Sequence, residues 1–179
     1  VGSDKNDYIQ GNEQSNTLDG KSGDDYLVGA EGEDALIGGS GTDTADFTSR
    51  TGVNDVIIDM TKAQTSGSKD TYRVRNDGHG NEEFIDGIEN IITGAGNDTI
   101  YGDAQANKIF TGAGNDTIRG GENADIIDGG ADNDTVDFSD LAYGVTVDLD
   151  TDNNGLNDAV GTALSNSKTD TLLNIENVI

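Results

Sequence analysis

Aliphatic residues recur at every ninth position in two stretches of this chain, each preceded two places earlier by an acid or its amide. From Gly2 the chain divides without a gap into five blocks of nine, and from Thr93 it does so again. In every block the sixth residue is Asp or Asn, the eighth is aliphatic, and glycine concentrates at positions one, two and four. The blocks are GSDKNDYIQ, GNEQSNTLD, GKSGDDYLV, GAEGEDALI and GGSGTDTAD, then TGAGNDTIY, GDAQANKIF, TGAGNDTIR, GGENADIID and GGADNDTVD.

Each block predicts a turn of six residues followed by a strand of three. Glycine and Asn/Asp favour turns with positive φ, and the middle residue of so short a strand faces inward while its neighbours face outward. Two blocks then make one coil of 18 residues, so the identical GAGNDTI segments at 94–100 and 112–118 stack on one edge. The predicted inward residues are Ile9, Leu18, Leu27, Leu36, Ala45, Ile100, Ile109, Ile118, Ile127 and Val136.

These blocks resemble the G-G-x-G-x-D-x-U-x nonapeptide of the RTX family, the hemolysin-type calcium-binding repeat of type I-secreted bacterial adhesins, toxins and alginate epimerases. The resemblance covers 90 of the 179 residues. It implies an all-β fold, a parallel β-roll or solenoid of calcium-binding repeats, here as two tandem rolls with irregular or β spacers. The second block of each run departs from the consensus, because Asn16 and Asn107 replace the aspartate and position four lacks glycine. Calcium sites at these two residues should be weaker or absent.

The composition by itself favours disorder, and calcium changes that expectation. The chain carries 35 acids against 10 bases, a net charge of −25, and only 32% apolar residues, too few to offset conformational entropy easily. Acids one coil apart lie about 4.8 Å from each other and repel, whereas Ca²⁺ accepts six to eight carboxylate and carbonyl oxygens. We therefore predict that calcium binding and folding are coupled. The same charge argues against nucleic acid as a partner, and no apolar run is long enough for membrane insertion.

The predicted sites lie between blocks that are one coil apart. The strong candidates are the pairs Asp7–Asp25, Asp25–Asp43, Asp98–Asp116 and Asp116–Asp134, and the weaker ones are Asn16–Asp34 and Asn107–Asp125. Glycine turns present backbone carbonyls beside them. The predicted glycine ligands are Gly23, Gly32, Gly39, Gly41, Gly94, Gly96, Gly112, Gly114, Gly121 and Gly130. In all, we expect roughly four to eight calcium ions.

A separate calcium loop is predicted in DTDNNGLND, residues 150–158. Asp150, Asp152 and Asn154 stand at alternate positions before a glycine, which matches the start of an EF-hand-like loop. The bidentate glutamate of position twelve is missing, and Asp158 is the candidate replacement. A plain solvated acidic turn is the alternative reading of this segment.

The segments that follow the two runs resemble each other, so a larger unit repeats. GIENII at the end of the first segment echoes NIENVI at the end of the second. The predicted organisation is unit 1, residues 1–92, with a roll at 2–46 and a spacer at 47–92, and unit 2, residues 93–179, with a roll at 93–137 and a spacer at 138–179. Because the chain begins and ends at equivalent points, we expect a parent protein with further units on both sides.

Short strands are predicted within both spacers. Apolar residues alternate with polar ones at Val145, Val147 and Leu149, and again at Tyr72 and Val74, the period of a strand. The aliphatic residues near the spacer ends are expected to lead the chain back into the roll; they are Ile88, Ile91, Ile175 and Val178.

No catalytic constellation is present in the sequence: it has no G-x-S-x-G, H-E-x-x-H or Walker motif, and a single histidine. We therefore expect no enzyme activity in this chain. The resemblance implies a calcium-binding module of a large secreted bacterial protein, extracellular or at the cell surface, which folds outside the cell and supports export, with an adhesin-like parent. The alternative is a calcium-dependent module that recognises a polysaccharide or surface, as in alginate epimerases, using the outward row Thr99, Thr117 and Thr135.

Overall fold

The chain forms a stack of short strands joined by tight turns, as a computed structural model shows for residues 1–48, 55–61, 74–77, 82–139, 141–142, 144–148, 160–165 and 168–179. Eighteen strands lie within these ranges. They are β1 (Tyr8–Gln10), β2 (Thr17–Ser22), β3 (Tyr26–Val28), β4 (Ala35–Ser40), β5 (Thr44–Asp46), β6 (Val56–Asp59), β7 (Val74–Asp77), β8 (Phe84–Asp86), β9 (Asn90–Ile92), β10 (Thr99–Tyr101), β11 (Lys108–Phe110), β12 (Thr117–Arg119), β13 (Ile126–Asp128), β14 (Thr135–Val136), β15 (Thr146–Asp148), β16 (Val160–Ser165), β17 (Lys168–Leu173) and β18 (Asn177–Val178).

The strands form three sheets, and one of them passes through both runs of blocks. This long sheet has the order β1-β3-β5-β9-β11-β13-β17-β16-β15. The six-stranded sheet has the order β18-β14-β12-β10-β6-β7, and the three-stranded sheet has the order β2-β4-β8. All strands of the nonapeptide blocks pair in parallel, for example β1 with β3 and β10 with β12. The fold is therefore the all-β parallel roll that the sequence predicts.

One coil of the roll contains two blocks, as the sequence predicts. Tyr8 pairs with Tyr26 in the long sheet, and Thr99 pairs with Thr117 in the six-stranded sheet. Both pairs are 18 residues apart, so every second block returns to the same sheet. The acids at position six, which precede these strands directly, are thereby stacked along the edges of the roll.

The core is the row of eighth-position residues, which confirms the predicted inward face. Nine of the ten predicted residues are buried, and Ile9 in the end strand β1 is partly buried against them. The spacers continue the same row: Ile85, Ile91 and Leu172 are each 0% exposed and pair with Leu36, Ala45 and Ile127 respectively. A one-residue-wide interior of this kind buries little apolar surface for each residue that is ordered.

Both spacers return to the roll and extend its sheets. Strands β7 and β15 contain the predicted strand residues Val74 and Val147, whereas Tyr72 and Leu149 lie outside the described residues. As predicted, Ile88, Ile91 and Ile175 are buried and Val178 packs against the core. Within the described ranges no helix has the length and apolar character required to cross a bilayer.

Candidate calcium sites

The position-six side chains form a ladder that joins successive coils. In each of the six predicted pairs, the backbone N–H of the first residue donates to Oδ1 of the second at 2.7–2.9 Å. The pairs are Asp7–Asp25, Asn16–Asp34, Asp25–Asp43, Asp98–Asp116, Asn107–Asp125 and Asp116–Asp134. One oxygen of each receiving carboxylate therefore holds the coils together, and the other takes no part in that bond.

That second oxygen is buried without a hydrogen bond at several aspartates of the stack. Asp25, Asp43, Asp125 and Asp134 are at most 2% exposed, and the Oδ2 atom of each has no hydrogen-bond partner. A buried carboxylate oxygen without a partner costs several kcal/mol. Repetition of this cost at four positions indicates that a cation belongs beside them.

The glycine at position one shapes the space into which Oδ2 points. A Cβ placed on Gly129 would lie 2.5 Å from Oδ2 of Asp134 and 2.5 Å from the carbonyl oxygen of Asn174. A Cβ on Gly2 would lie 2.8 Å from Oδ2 of Asp7 and 2.5 Å from the carbonyl oxygen of Gly20. A carboxylate oxygen from one coil and a carbonyl oxygen from the next thus converge where a side chain would otherwise stand. Such oxygens are the ligands that Ca²⁺ prefers.

The electrostatics of these carboxylates also fit a cation. Burial raises the pKa of Asp125 to about 7, and the neighbouring Asp170 and Asp103 add to this effect against the hydrogen bond from Asn107. Burial likewise raises the pKa of Asp98 and of Asp134 to about 6. For Asp98, the Thr93 hydroxyl and the Val56 N–H oppose the shift. Without a counter-ion, the folded chain disfavours the charge of these groups.

In three other turns, the backbone N–H of the position-two residue donates to the position-six side chain. The N–H of Ser3 donates to Oδ2 of Asp7 at 2.5 Å, and this bond holds the pKa of Asp7 below its usual value. In the two blocks that depart from the consensus, the N–H groups of Asn12 and Asp103 donate to Oδ1 of Asn16 and Asn107 at 2.7 and 3.0 Å. These three turns already supply a donor, whereas the turns of Asp25, Asp43, Asp125 and Asp134 leave a carboxylate oxygen without one. For Asn16 and Asn107, this is the physical basis of the weaker sites that we predict there.

The predicted glycine ligands occupy two columns of the stack. Gly23, Gly32, Gly41, Gly96 and Gly114 stand at position four, and Gly39, Gly94, Gly112, Gly121 and Gly130 stand at position two. All of them except Gly94 adopt positive φ, between 94° and 143°. The carbonyls of Gly94 and Gly112 accept hydrogen bonds from the Ala113 and Ala131 N–H groups, which leaves each carbonyl one further lone pair. Their role as calcium ligands stays a prediction.

Position five carries a second ladder, which the sequence reasoning missed. Oδ1 of Asn97 accepts the Asn115 N–H at 2.9 Å, and Oδ1 of Asn115 accepts the Asn133 N–H at 3.1 Å. In the first run, Asn6 accepts from Asp24 in the same way. The signal was present, because every position-five residue that accepts in this ladder is Asn or Asp, but the metal hypothesis considered position six alone.

The sequence reasoning also missed carboxylates that the spacers add to the position-six ladder. The N–H of Asp43 donates to Oε2 of Glu89, and that of Asp125 donates to Oδ1 of Asp170, at 2.8 and 2.9 Å. The N–H of Asp134 donates to Oε2 of Glu176 at 2.7 Å. A detectable signal existed: E-N-I-I and D-T-L-L share the acid-x-aliphatic-x order of positions six to nine.

Two further observations concern the limits of the candidate sites. The predicted loop residues Asp150, Asp152, Asn154 and Asp158 lie outside the described residues, so that site stays a prediction. In the part of the chain that the structure describes, no three acidic or histidine side chains cluster around one point. Each candidate site in the roll pairs two position-six side chains with backbone carbonyls, and Ca²⁺ accepts such oxygens readily.

A stack of paired carboxylates and glycine carbonyls on a parallel roll defines a class of calcium-binding solenoid proteins. The family model of the RTX calcium-binding nonapeptide repeat matches the chain in four copies, at residues 1–27, 10–45, 85–118 and 102–136. These matches cover more than half of the chain, which belongs to the RTX calcium-binding nonapeptide repeat family. RTX repeats bind calcium and are structural elements, not catalytic ones.

Comparison with individual proteins adds little to the family match. No curated protein sequence is significantly similar to this chain. Among solved structures, the extracellular lipase LipA from Serratia marcescens aligns with 98% of this chain at 19% identity and a TM-score of 0.37. This chain spans 37% of that lipase chain.

Proposed function

We propose that this chain is a calcium-dependent folding and structural module of a large secreted bacterial protein. It enters the surroundings of the cell unfolded and folds where calcium is abundant. The roll then serves as a rigid segment of its parent, for which we favour an adhesin-like protein because the unit of blocks plus spacer is repeated. Extracellular calcium modules typically bind at about 10⁻⁴–10⁻³ M, which suits a fold that must stay open inside the cell.

One observation carries this proposal: buried carboxylate oxygens without hydrogen bonds recur along the stack, at Asp25, Asp43, Asp125 and Asp134. Each costs folding free energy until a cation neutralises it. The narrow core offers little apolar burial to compensate. Calcium binding therefore supplies the free energy that selects the folded chain over the disordered one.

A calcium titration followed by circular dichroism tests the proposal. We expect a disordered spectrum in excess EGTA, a strand-rich spectrum in millimolar calcium, and little folding in equimolar magnesium, which demands a smaller octahedral shell. Native mass spectrometry of the folded chain should count roughly four to eight calcium ions. A strand-rich spectrum in EGTA, unchanged when calcium is added, would contradict the proposal.

A second candidate function is recognition of a polysaccharide, and one observation favours it. Tyr8 and Tyr26 stack on the outer face of the long sheet with ring centroids 5.5 Å apart, and Tyr8 is 66% exposed. Exposed aromatic faces pack well against sugar rings. A glycan array probed with and without calcium separates this function from a purely structural one. The Tyr8→Ser variant removes the exposed ring and leaves the position-six ladder intact, so sugar binding through this face should be lost in it while calcium binding is kept.

A further inference from the structure

Both spacers contain the same short turn between their last two strands, although neither turn is a nonapeptide. The first consists of Gly87, Ile88 and Glu89 before β9, and the second consists of Asn174, Ile175 and Glu176 before β18. The leading residue of each adopts positive φ, +57° at Gly87 and +52° at Asn174. Two spacers of different sequence thus end in one backbone conformation.

This short turn places a carbonyl where an ordinary coil places one. In the repeats, the carbonyl of a position-one glycine faces the position-one glycine one coil earlier, as the Gly20 carbonyl faces Gly2. At the end of the second run the Asn174 carbonyl occupies that place, 2.5 Å from where a Cβ of Gly129 would stand. At the end of the first run the Gly87 carbonyl stands in the same way against Gly38.

The turn also supplies the carboxylate of position six. Oε2 of Glu89 accepts the Asp43 N–H at 2.8 Å, and Oε2 of Glu176 accepts the Asp134 N–H at 2.7 Å. In the repeats the acid follows position one by five residues, whereas here it follows the leading residue by two. Glutamate is one methylene longer than aspartate, and this extra reach offsets the shorter turn.

A separate observation points to a ligand between each pair of turns. Asp43 and Asp134, the last position-six aspartates of the two runs, are both 0% exposed, and Oδ2 of each has no hydrogen-bond partner. Each of these oxygens faces its own position-one glycine, 2.6 Å from a Cβ of Gly38 and 2.5 Å from a Cβ of Gly129. It therefore points toward the carbonyl that the spacer brings in.

We propose that each spacer closes a calcium site with the last position-six aspartate of the preceding run. The first site combines the carboxylates of Asp43 and Glu89 with the Gly87 carbonyl. The second combines the carboxylates of Asp134 and Glu176 with the Asn174 carbonyl. This inference rests on the calcium binding proposed above and extends it beyond the nonapeptide blocks. Calcium then fastens the spacers to the roll, so that each run ends in a metal-linked coil.

Substituting the two glutamates by glutamine, which removes the charge and keeps the size, tests the inference in the full chain. We expect Glu89→Gln and Glu176→Gln each to lose one calcium ion in native mass spectrometry, and the double variant to lose two. At the affected site, calorimetry should show calcium affinity reduced at least about tenfold, since removing a ligand charge weakens such sites strongly. Glu82→Gln is the matched control, because Glu82 is exposed and precedes β8 without entering the ladder.

The outcomes separate the two proposals. A wild-type chain that binds no calcium would overturn the proposed function itself. A wild-type chain that binds calcium, with E89Q and E176Q retaining its full number of ions and its affinities, would overturn only the spacer sites. Loss in one variant alone would also overturn the inference as stated, since both turns share one geometry.

A measurement on the wild-type chain covers the case in which a variant does not fold. The chain has eight glutamates, so selective ¹³C labelling of their side-chain carboxylates gives a resolvable NMR spectrum. In the calcium-saturated chain we expect the signals of Glu89 and Glu176 to lie away from the positions of free carboxylates, with that of Glu82 at the free position. Eight signals that all keep positions typical of free carboxylates would contradict the inference.

Discussion

At the residue scale, the position-six aspartate divides its two oxygens between two tasks. Oδ1 of Asp134 accepts the Asp116 N–H from the preceding coil, and Oδ2 is buried without a partner. An asparagine can perform the first task but brings no charge to the second. Asn107 stays in the ladder through its own N–H, which donates to Oδ1 of Asp125. Its Oδ1 accepts from Asp103 of its own turn, and its Nδ2 donates to the Glu89 carbonyl.

The raised pKa values predict opposite pH effects with and without calcium. In the calcium-free fold, Asp125 has a pKa of about 7 and Asp98 and Asp134 have pKa values of about 6, against 3.8 in the unfolded chain. The folded state thus binds more protons, and its stability rises as pH falls through the window from 7 toward 5. Calcium requires the deprotonated carboxylates, so its affinity should fall over the same window.

Circular dichroism and calorimetry check this pair of effects. Lowering the pH of a metal-free sample from 7.5 to 5 should increase the strand signal, while the calcium dissociation constant should increase several-fold. The Glu82→Gln variant, altered at an exposed acid, should behave as the wild type. A metal-free signal that is constant or decreases toward pH 5 would argue against buried, uncompensated aspartates.

At the element scale, the turns stack backbone against backbone at position four. Gly114 has φ of +130°, and a Cβ placed on it would collide with the carbonyl oxygen of Gly96. Gly41 meets Gly23 in the same way in the first run. Positive φ together with backbone contact leaves no room for a side chain, so glycine at these points is required by packing as well as by conformation.

The substitution Gly114→Ala should therefore destabilise the calcium-loaded chain by about 1–3 kcal/mol. For a protein of this size that corresponds to a decrease in Tm of roughly 2–4 °C per kcal/mol. Gly144→Ala is the matched control, since a Cβ there would meet no atom within 4 Å. Equal Tm values for the two variants would show that the coils can separate to admit a side chain.

At the scale of the whole molecule, the long sheet connects the two runs of blocks. Strand β9 from the first spacer pairs with β5 of the first run and with β11 of the second. Ile91 of β9 is fully buried between Ala45 and Ile109, its partners in these strands. The units 1–92 and 93–179 stay a prediction from the sequence. Because they share this strand, a change in it tests whether the two units unfold together.

We expect Ile91→Ala to lower the stability of the calcium-loaded chain by about 2–5 kcal/mol, the usual cost of such a cavity. Because the runs share a sheet, calorimetry should show one unfolding transition that shifts as a whole. Ile9→Ala, in the partly buried end strand β1, should cost less. Two transitions, of which Ile91→Ala moves only one, would indicate that the units unfold independently.

The nonapeptide period was sufficient to predict the coil of 18 residues, the inward row and the six position-six pairs, because each depends on spacing along the chain. Positions six and eight recur at fixed distances, so stacking the period places them in register without reference to the rest of the molecule. The two blocks with weaker predicted sites were distinguishable in the same way, because Asn16 and Asn107 replace aspartate at position six.

Only the tertiary structure decided how the spacers return, because the contacts involved have no local period. Asp43 and Glu89 are 46 residues apart, and Asp134 and Glu176 are 42 residues apart. Such pairing depends on which spacer segment packs its aliphatic residue into the open end of the core. A strand only three residues long has too little preference of its own to specify that choice. The sequence by itself thus determined the repeating coil and its acids, and three-dimensional packing determined which carboxylates complete it.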